Sequence, residues 1–127
     1  MKKNVLLSTL WIFLVVNFIF CDVFTLHYSE ILKGLIEGKV ADFVITQEFL
    51  LAFAIVMELA MVMIVLSRIL PYKLNRIINI TLGIILGTIQ TWSLVDGEAT
   101  LHYYFFSVIE IFTCISIVII AFKWKKE

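Results

Sequence analysis

Apolar residues gather into four long runs, separated by three short polar breaks. A helix needs roughly 20 apolar residues to cross the hydrocarbon core of a bilayer, and each run is that long. They predict four membrane-spanning helices at Val5–Leu26, Val44–Leu70, Leu74–Val95 and Leu101–Phe122. Only the first connection, His27 to Asp42, has room for structure of its own. Ile31, Leu32, Leu35 and Ile36 recur there at helical spacing, opposite Glu30, Lys33 and Glu37. That pattern predicts a short amphipathic helix on the membrane surface, capped by Ser29 and ended at Gly38. The second connection centres on Pro71, whose preceding residue is biased away from helix. The third is a tight turn at Asp96-Gly97, with Thr100 as a cap for the last helix. Short connections make successive helices antiparallel neighbours. The expected fold class is therefore all-α: an integral membrane four-helix up-down bundle, one domain over residues 1–127.

Composition supports this reading. The chain is 62% hydrophobic, with a mean hydropathy of +1.06, against roughly half apolar for a soluble domain. Formal net charge is zero, which gives no reason to expect a nucleic-acid partner. The placement of charge is more informative. Lys2, Lys3, Arg68, Lys73, Arg76, Lys123, Lys125 and Lys126 flank the two termini and the middle connection, whereas only Lys33 and Lys39 lie in the first connection. By the positive-inside rule both termini are expected in the cytoplasm of a multi-pass cell-membrane protein. The bulky Phe18-Ile19-Phe20 before Cys21 does not suit signal-peptide cleavage, so the first run is expected to remain as a span. Cys21 and Cys114 fall at different depths and no C-x-x-C occurs, so a disulfide is not expected.

Against this apolar background, two carboxyls stand out. Glu58 and Glu110 lie near the middle of the second and fourth spans, where even lenient scales put the cost of a charge at about 2.5–3.5 kcal/mol. Projected at 100° per residue, Gln47, Leu51, Ala54, Glu58, Met61 and Val65 share one stripe of the second helix. Tyr103, Ser107, Glu110 and Cys114 share one on the fourth, and Asn75, Asn79, Gly83, Gly87 and Thr91, with Gln90 beside them, one on the third. Each stripe is expected to face the bundle interior. Asn17, Glu58 and Glu110 then meet in one layer at the floor of a cavity, with Asp22, Glu48, Gln90 and His102 in a second layer nearer the outer surface. Two carboxyls this close in a low dielectric would not both carry charge, leaving a proton to exchange or relay. Gly83 and Gly87 form a small-residue packing face. Trp11, Trp92, Trp124, Tyr72 and Tyr103 read as interfacial belt residues. No metal-ligand spacing, nucleophile motif or cofactor motif occurs.

Several stretches carry a resemblance: Leu10-Trp11-Ile12-Phe13 with Asn17, Cys21-Asp22-Val23, Ile45-Thr46-Gln47, Met57-Glu58, Leu66-Ser67-Arg68 with Leu70-Pro71-Tyr72, Asn75-Arg76, Asn79, and Tyr103-Tyr104-Phe105-Phe106-Ser107 with Glu110. Over nearly the whole chain they resemble a family of small four-span prokaryotic membrane proteins of unknown function, and more loosely the DoxX-like four-helix proteins. The resemblance implies architecture and recurring polar positions but no activity. Small multidrug exporters are similar in size but keep their essential glutamate in the first helix, where this chain has Asn17.

Two functions follow from the residues. One is proton-coupled transport of a small molecule or ion, by a homo-oligomer, with Glu58 and Glu110 as the protonatable pair and Asn17 and Gln90 as their partners. The other is a non-transporting accessory subunit whose cavity holds a lipid, quinone or other small ligand. Gln47, Glu48, Asp22, Tyr103 and Ser107 are further candidates for binding. An enzyme has the least support, because no nucleophile or metal accompanies the carboxyls.

Overall fold

The computed structural model describes residues 2–40, 43–44, 46–95 and 100–125. Four helices are long and apolar enough to cross a membrane: α1 (Lys3–Leu26), α3 (Gln47–Ile69), α4 (Tyr72–Val95) and α5 (Leu101–Lys123). Between α1 and α3 come α2 (Ser29–Ile36) and two paired two-residue strands, β1 (Lys39–Val40) and β2 (Phe43–Val44). The strands run antiparallel, with Lys39 opposite Val44 and Val40 opposite Phe43. This hairpin is absent from the sequence reading. It is too short to leave a period-two pattern.

The helix ends follow local chemistry. Gly38 takes a φ of +81° immediately beyond α2 and its N–H bonds to the Leu35 carbonyl. That left-handed position is open to glycine because it has no Cβ. The cap position of α2 is Tyr28, and Ser29 is the first helical residue, which corrects the expectation of a Ser29 cap. Thr46 caps α3 by accepting the Phe49 N–H at 3.1 Å. Thr100 does stand at the cap position of α5, but its hydroxyl bonds to the His102 ring instead of to a backbone N–H. Asp96-Gly97 and Asp42 lie outside the described residues.

The helices meet in an order that chain sequence alone does not give. α1 packs between α3 and α5, and α4 packs chiefly on α5. α3 and α4, joined by the shortest connection, touch least of these, so not every successive pair is a packed pair. The reason is Trp11, which is 0% exposed and sends its indole N–H to Asn79 Oδ1 at 2.7 Å. An α1 side chain thus fills the corner between α3 and α4. It also means Trp11 is a core residue and not part of an interfacial belt. Around it Ser67 donates to Asn79 Oδ1, Asn75 Nδ2 donates to the Ser67 carbonyl, and Asn79 Nδ2 donates to Asn75 O and Oδ1. Ser8 donates to the Ile64 carbonyl at 2.8 Å, tying α1 to α3. The apolar core continues from this corner through Leu7, Leu14, Phe18, Ala60, Met63, Leu86 and Ile117.

The start of α1 and the end of α5 reach the corner at which α3 turns into α4. Asn4 donates to the Arg68 carbonyl, and Tyr72 donates its hydroxyl to the Trp124 carbonyl at 2.6 Å. Arg76 bonds the last carbonyls of α5, Ala121 and Phe122, where a cation also complements the helix dipole. His27, α2, Thr100 and His102 lie at the opposite end, where Thr25 bonds His102 at 3.1 Å.

Candidate intramembrane carboxyl site

Glu110 is where the interior becomes chemically unusual. It sits midway along α5 on a face that also carries Ser107, Thr113, Cys114 and Ile117, all buried. Its side chain is 1% exposed, and Oε1 has no hydrogen-bond partner among the described residues. Buried polar groups are satisfied in the great majority of cases. An orphaned carboxyl oxygen in an apolar interior therefore invites a proton, an ion or a ligand group. Asp22, Cys21, Tyr103 and Cys114 lie within electrostatic reach of it.

Polar side chains line the helices from Glu110 toward the end that carries α2. Gln90 donates to Ser107 Oγ at 2.8 Å, one turn from Glu110. Tyr103 bonds Ser93 and sits beside Gln90, and Thr25 bonds both His102 and the Cys21 carbonyl. Toward the termini the interior turns apolar at Leu14, Cys114, Ile117 and Ala121, until the Trp11–Asn79 corner. The carboxyl thus stands between this polar stretch and an apolar layer that separates it from the Trp11–Asn79 corner.

The other expected site residues divide. Asn17 is buried, but its amide donates to the Phe13 carbonyl of its own helix at 2.8 Å. Gln90 and Tyr103 are half-buried, and Ser107 is fully buried. Asp22, Gln47 and Glu48 are exposed.

Glu58 is exposed as well, with Leu51, Ala54, Met61 and Val65 of the same stripe, and this corrects the inward-facing pair. α3 turns its Ala60, Met63 and Ser67 side to the bundle instead, because small residues there let α1 approach and Ser67 finds bonds at the corner. The expected layer of Asn17, Glu58 and Glu110 therefore does not form within one chain. Glu110 lines neither of two surface grooves. One, of about 580 Å³, runs between α4 and α5 past Gly87, Thr91 and Cys114. The other, of about 490 Å³, lies between α1 and α5 beside Phe13, Ile109 and Thr113.

Gly83 and Gly87 sit where α4 meets α5. A Cβ on Gly83 would stand 2.7 Å from Val118 Cγ2, and one on Gly87 would stand 3.2 Å from Cys114 Cβ. Both cysteines are free and buried. Sequence reasoning missed Trp11, Ser8 and Ser67 as interior polar groups. Their available signal was position: Ser8 and Trp11 are three residues apart on α1, level with Ser67 and Asn79.

The chain belongs to DUF6326, a family of unknown function whose model matches residues 1–127. That match carries no link to the DoxX-like proteins. No curated protein and no solved structure matches the chain.

Proposed function

We propose that this member of DUF6326 is a multi-pass cell-membrane protein, with both termini cytoplasmic, that takes up a proton or a small hydrogen-bonding ligand at Glu110. The observation that carries this reading is the fully buried Oε1, which has no hydrogen-bond partner among the described residues. An intramembrane carboxyl is expensive to keep, and a packing role would leave both of its oxygens bonded. The polar side chains of Gln90, Tyr103 and His102 give the route of entry from the outer side. Proton-coupled transport of a small molecule or ion is the activity such a group would serve, with Glu110 alternately loaded and emptied.

The test is proton movement in proteoliposomes holding a pH-sensitive dye. An external acid pulse should acidify the lumen faster than in empty vesicles, and Glu110→Gln should remove the difference while helix content is unchanged. Equal rates for wild type and Glu110→Gln contradict proton transfer through this group.

A second reading, an accessory subunit that binds a lipid, quinone or other small ligand without transporting it, is favoured by the buried Cys114 and Ile117 that follow Glu110 on its own helix face. In that case no flux appears in either protein, while a ligand protects the wild type alone against thermal unfolding.

A further inference from the structure

Glu58 stands at the midpoint of α3, Gln47–Ile69, and is exposed on the surface of the bundle. A carboxyl facing hydrocarbon at that depth is one of the least favourable placements a side chain can have. Gln47, Leu51, Ala54, Glu58, Met61 and Val65 follow one another at alternating steps of four and three residues, and all six are exposed. That is the heptad rhythm of a coiled-coil seam, about 27 Å long at 1.5 Å per residue, enough to cross most of the hydrocarbon core. It lies on the side of α3 opposite Ala60, Met63 and Ser67. α3 is also the least buried of the four long helices, with 11% of its apolar stretch inside the bundle against 44% for α1.

We propose that this seam is the interface of a homodimer, in which α3 packs against α3 of a second copy and Glu58 meets Glu58. Copies inserted alike pair about a two-fold axis along the membrane normal, and an isologous contact sets each position against itself. A carboxyl group that holds a proton both donates and accepts, so two of them complete each other across the axis, whereas lipid chains offer neither function. The seam contains no lysine or arginine that would ask for an acidic partner. Ala54, one turn from Glu58, lets the two backbones approach at that level. Leu51, Met61 and Val65 supply the packing on either side. The inference concerns a face remote from Glu110 and stands independently of the proposed function.

The experiment uses the full chain in phosphatidylcholine vesicles at low protein density. Oxidative cross-linking should join copies carrying Ala54→Cys or Met61→Cys, and should leave Phe53→Cys and Leu59→Cys, exposed on the flanks of α3, as monomers. Energy transfer between labelled copies should show Glu58→Leu weakening association about three- to twentyfold, the range of measured membrane hydrogen bonds. Glu58→Gln, whose amide also donates and accepts, should hold it within about twofold of wild type. Cross-linking equal on seam and flank, or absent from the seam, overturns the proposal and leaves lipid or another membrane helix as the occupant. Unchanged or stronger association of Glu58→Leu overturns the role of Glu58 in it.

Discussion

Replacing Asn79 with leucine tests how the long helices are held at one corner. Leucine keeps the branch at Cγ with bulkier methyl groups, so the change removes polar bonds without leaving a cavity. The largest consequence falls on Trp11, whose indole N–H is 0% exposed and has Asn79 Oδ1 as its acceptor at 2.7 Å. A buried donor left without an acceptor costs about 1–3 kcal/mol. Ser67, the other donor to that oxygen at 3.3 Å, can turn to a backbone carbonyl of its own helix and loses little. Asn75 Oδ1 also loses the Asn79 amide, a smaller addition. Interhelical bonds in membranes average only about 0.6 kcal/mol, but those averages include groups that find new partners, which the enclosed indole cannot. The expected cost of Asn79→Leu is therefore about 2–3 kcal/mol, read from reversible unfolding in mixed detergent micelles by circular dichroism. Trp11→Phe deletes the donor, so the double variant should show a coupling of about 1–2 kcal/mol. A cost below about 0.5 kcal/mol, or strict additivity with Trp11→Phe, would refute this account of the corner.

Three other outcomes follow from contacts of the same kind. Gly83→Leu forces atoms into Val118, 2.7 Å from the position of a Cβ, and should destabilise the α4–α5 pair by about 1–3 kcal/mol, seen as a lower melting temperature. Arg76→Met removes two charged bonds to the Ala121 and Phe122 carbonyls. Because the side chain is only half-buried, solvent reduces their worth to about 1–2 kcal/mol, and amide exchange in the last turn of α5 should quicken without global unfolding. Cys21 and Cys114 are buried, so a hydrophilic maleimide should modify neither in the folded protein and both after denaturation in strong detergent.

The four long helices were legible because their length and apolarity are what a membrane-crossing helix needs. The inward stripes of α5 and of α4 as far as Gly87 were legible because Asn75, Asn79, Ser107 and Glu110 are polar residues that lipid does not satisfy, whereas Thr91 at the end of the α4 stripe is exposed. The same logic failed on α3. Every face of that helix is apolar apart from Glu58, Gln47 and Glu48 near its start, and Ser67 and Arg68 near its end, so hydrophobic periodicity cannot separate a lipid-facing side from a packed one. Size and bonding decided instead: Ala60 and Ser67 allow α1 and the corner to close, and they turn Glu58 outward. The aromatic-belt reading failed for Trp11 for a related reason. Its depth suits an interface, but only the fold reveals that Asn79 waits beside it.

The central claim is that Glu110 is a reachable site and not a sealed structural carboxyl. A hydrophobic carbodiimide, which attacks protonated carboxyls in apolar surroundings, tests it when the modified residues are located by mass spectrometry across a pH series. The protein should be held in detergent at a dilution that keeps it monomeric, so that exposed Glu58 reports whether the reagent works. The account predicts that Glu110 is modified as well as Glu58. Modification of Glu58 with none at Glu110, at every pH where the helices persist, would contradict it.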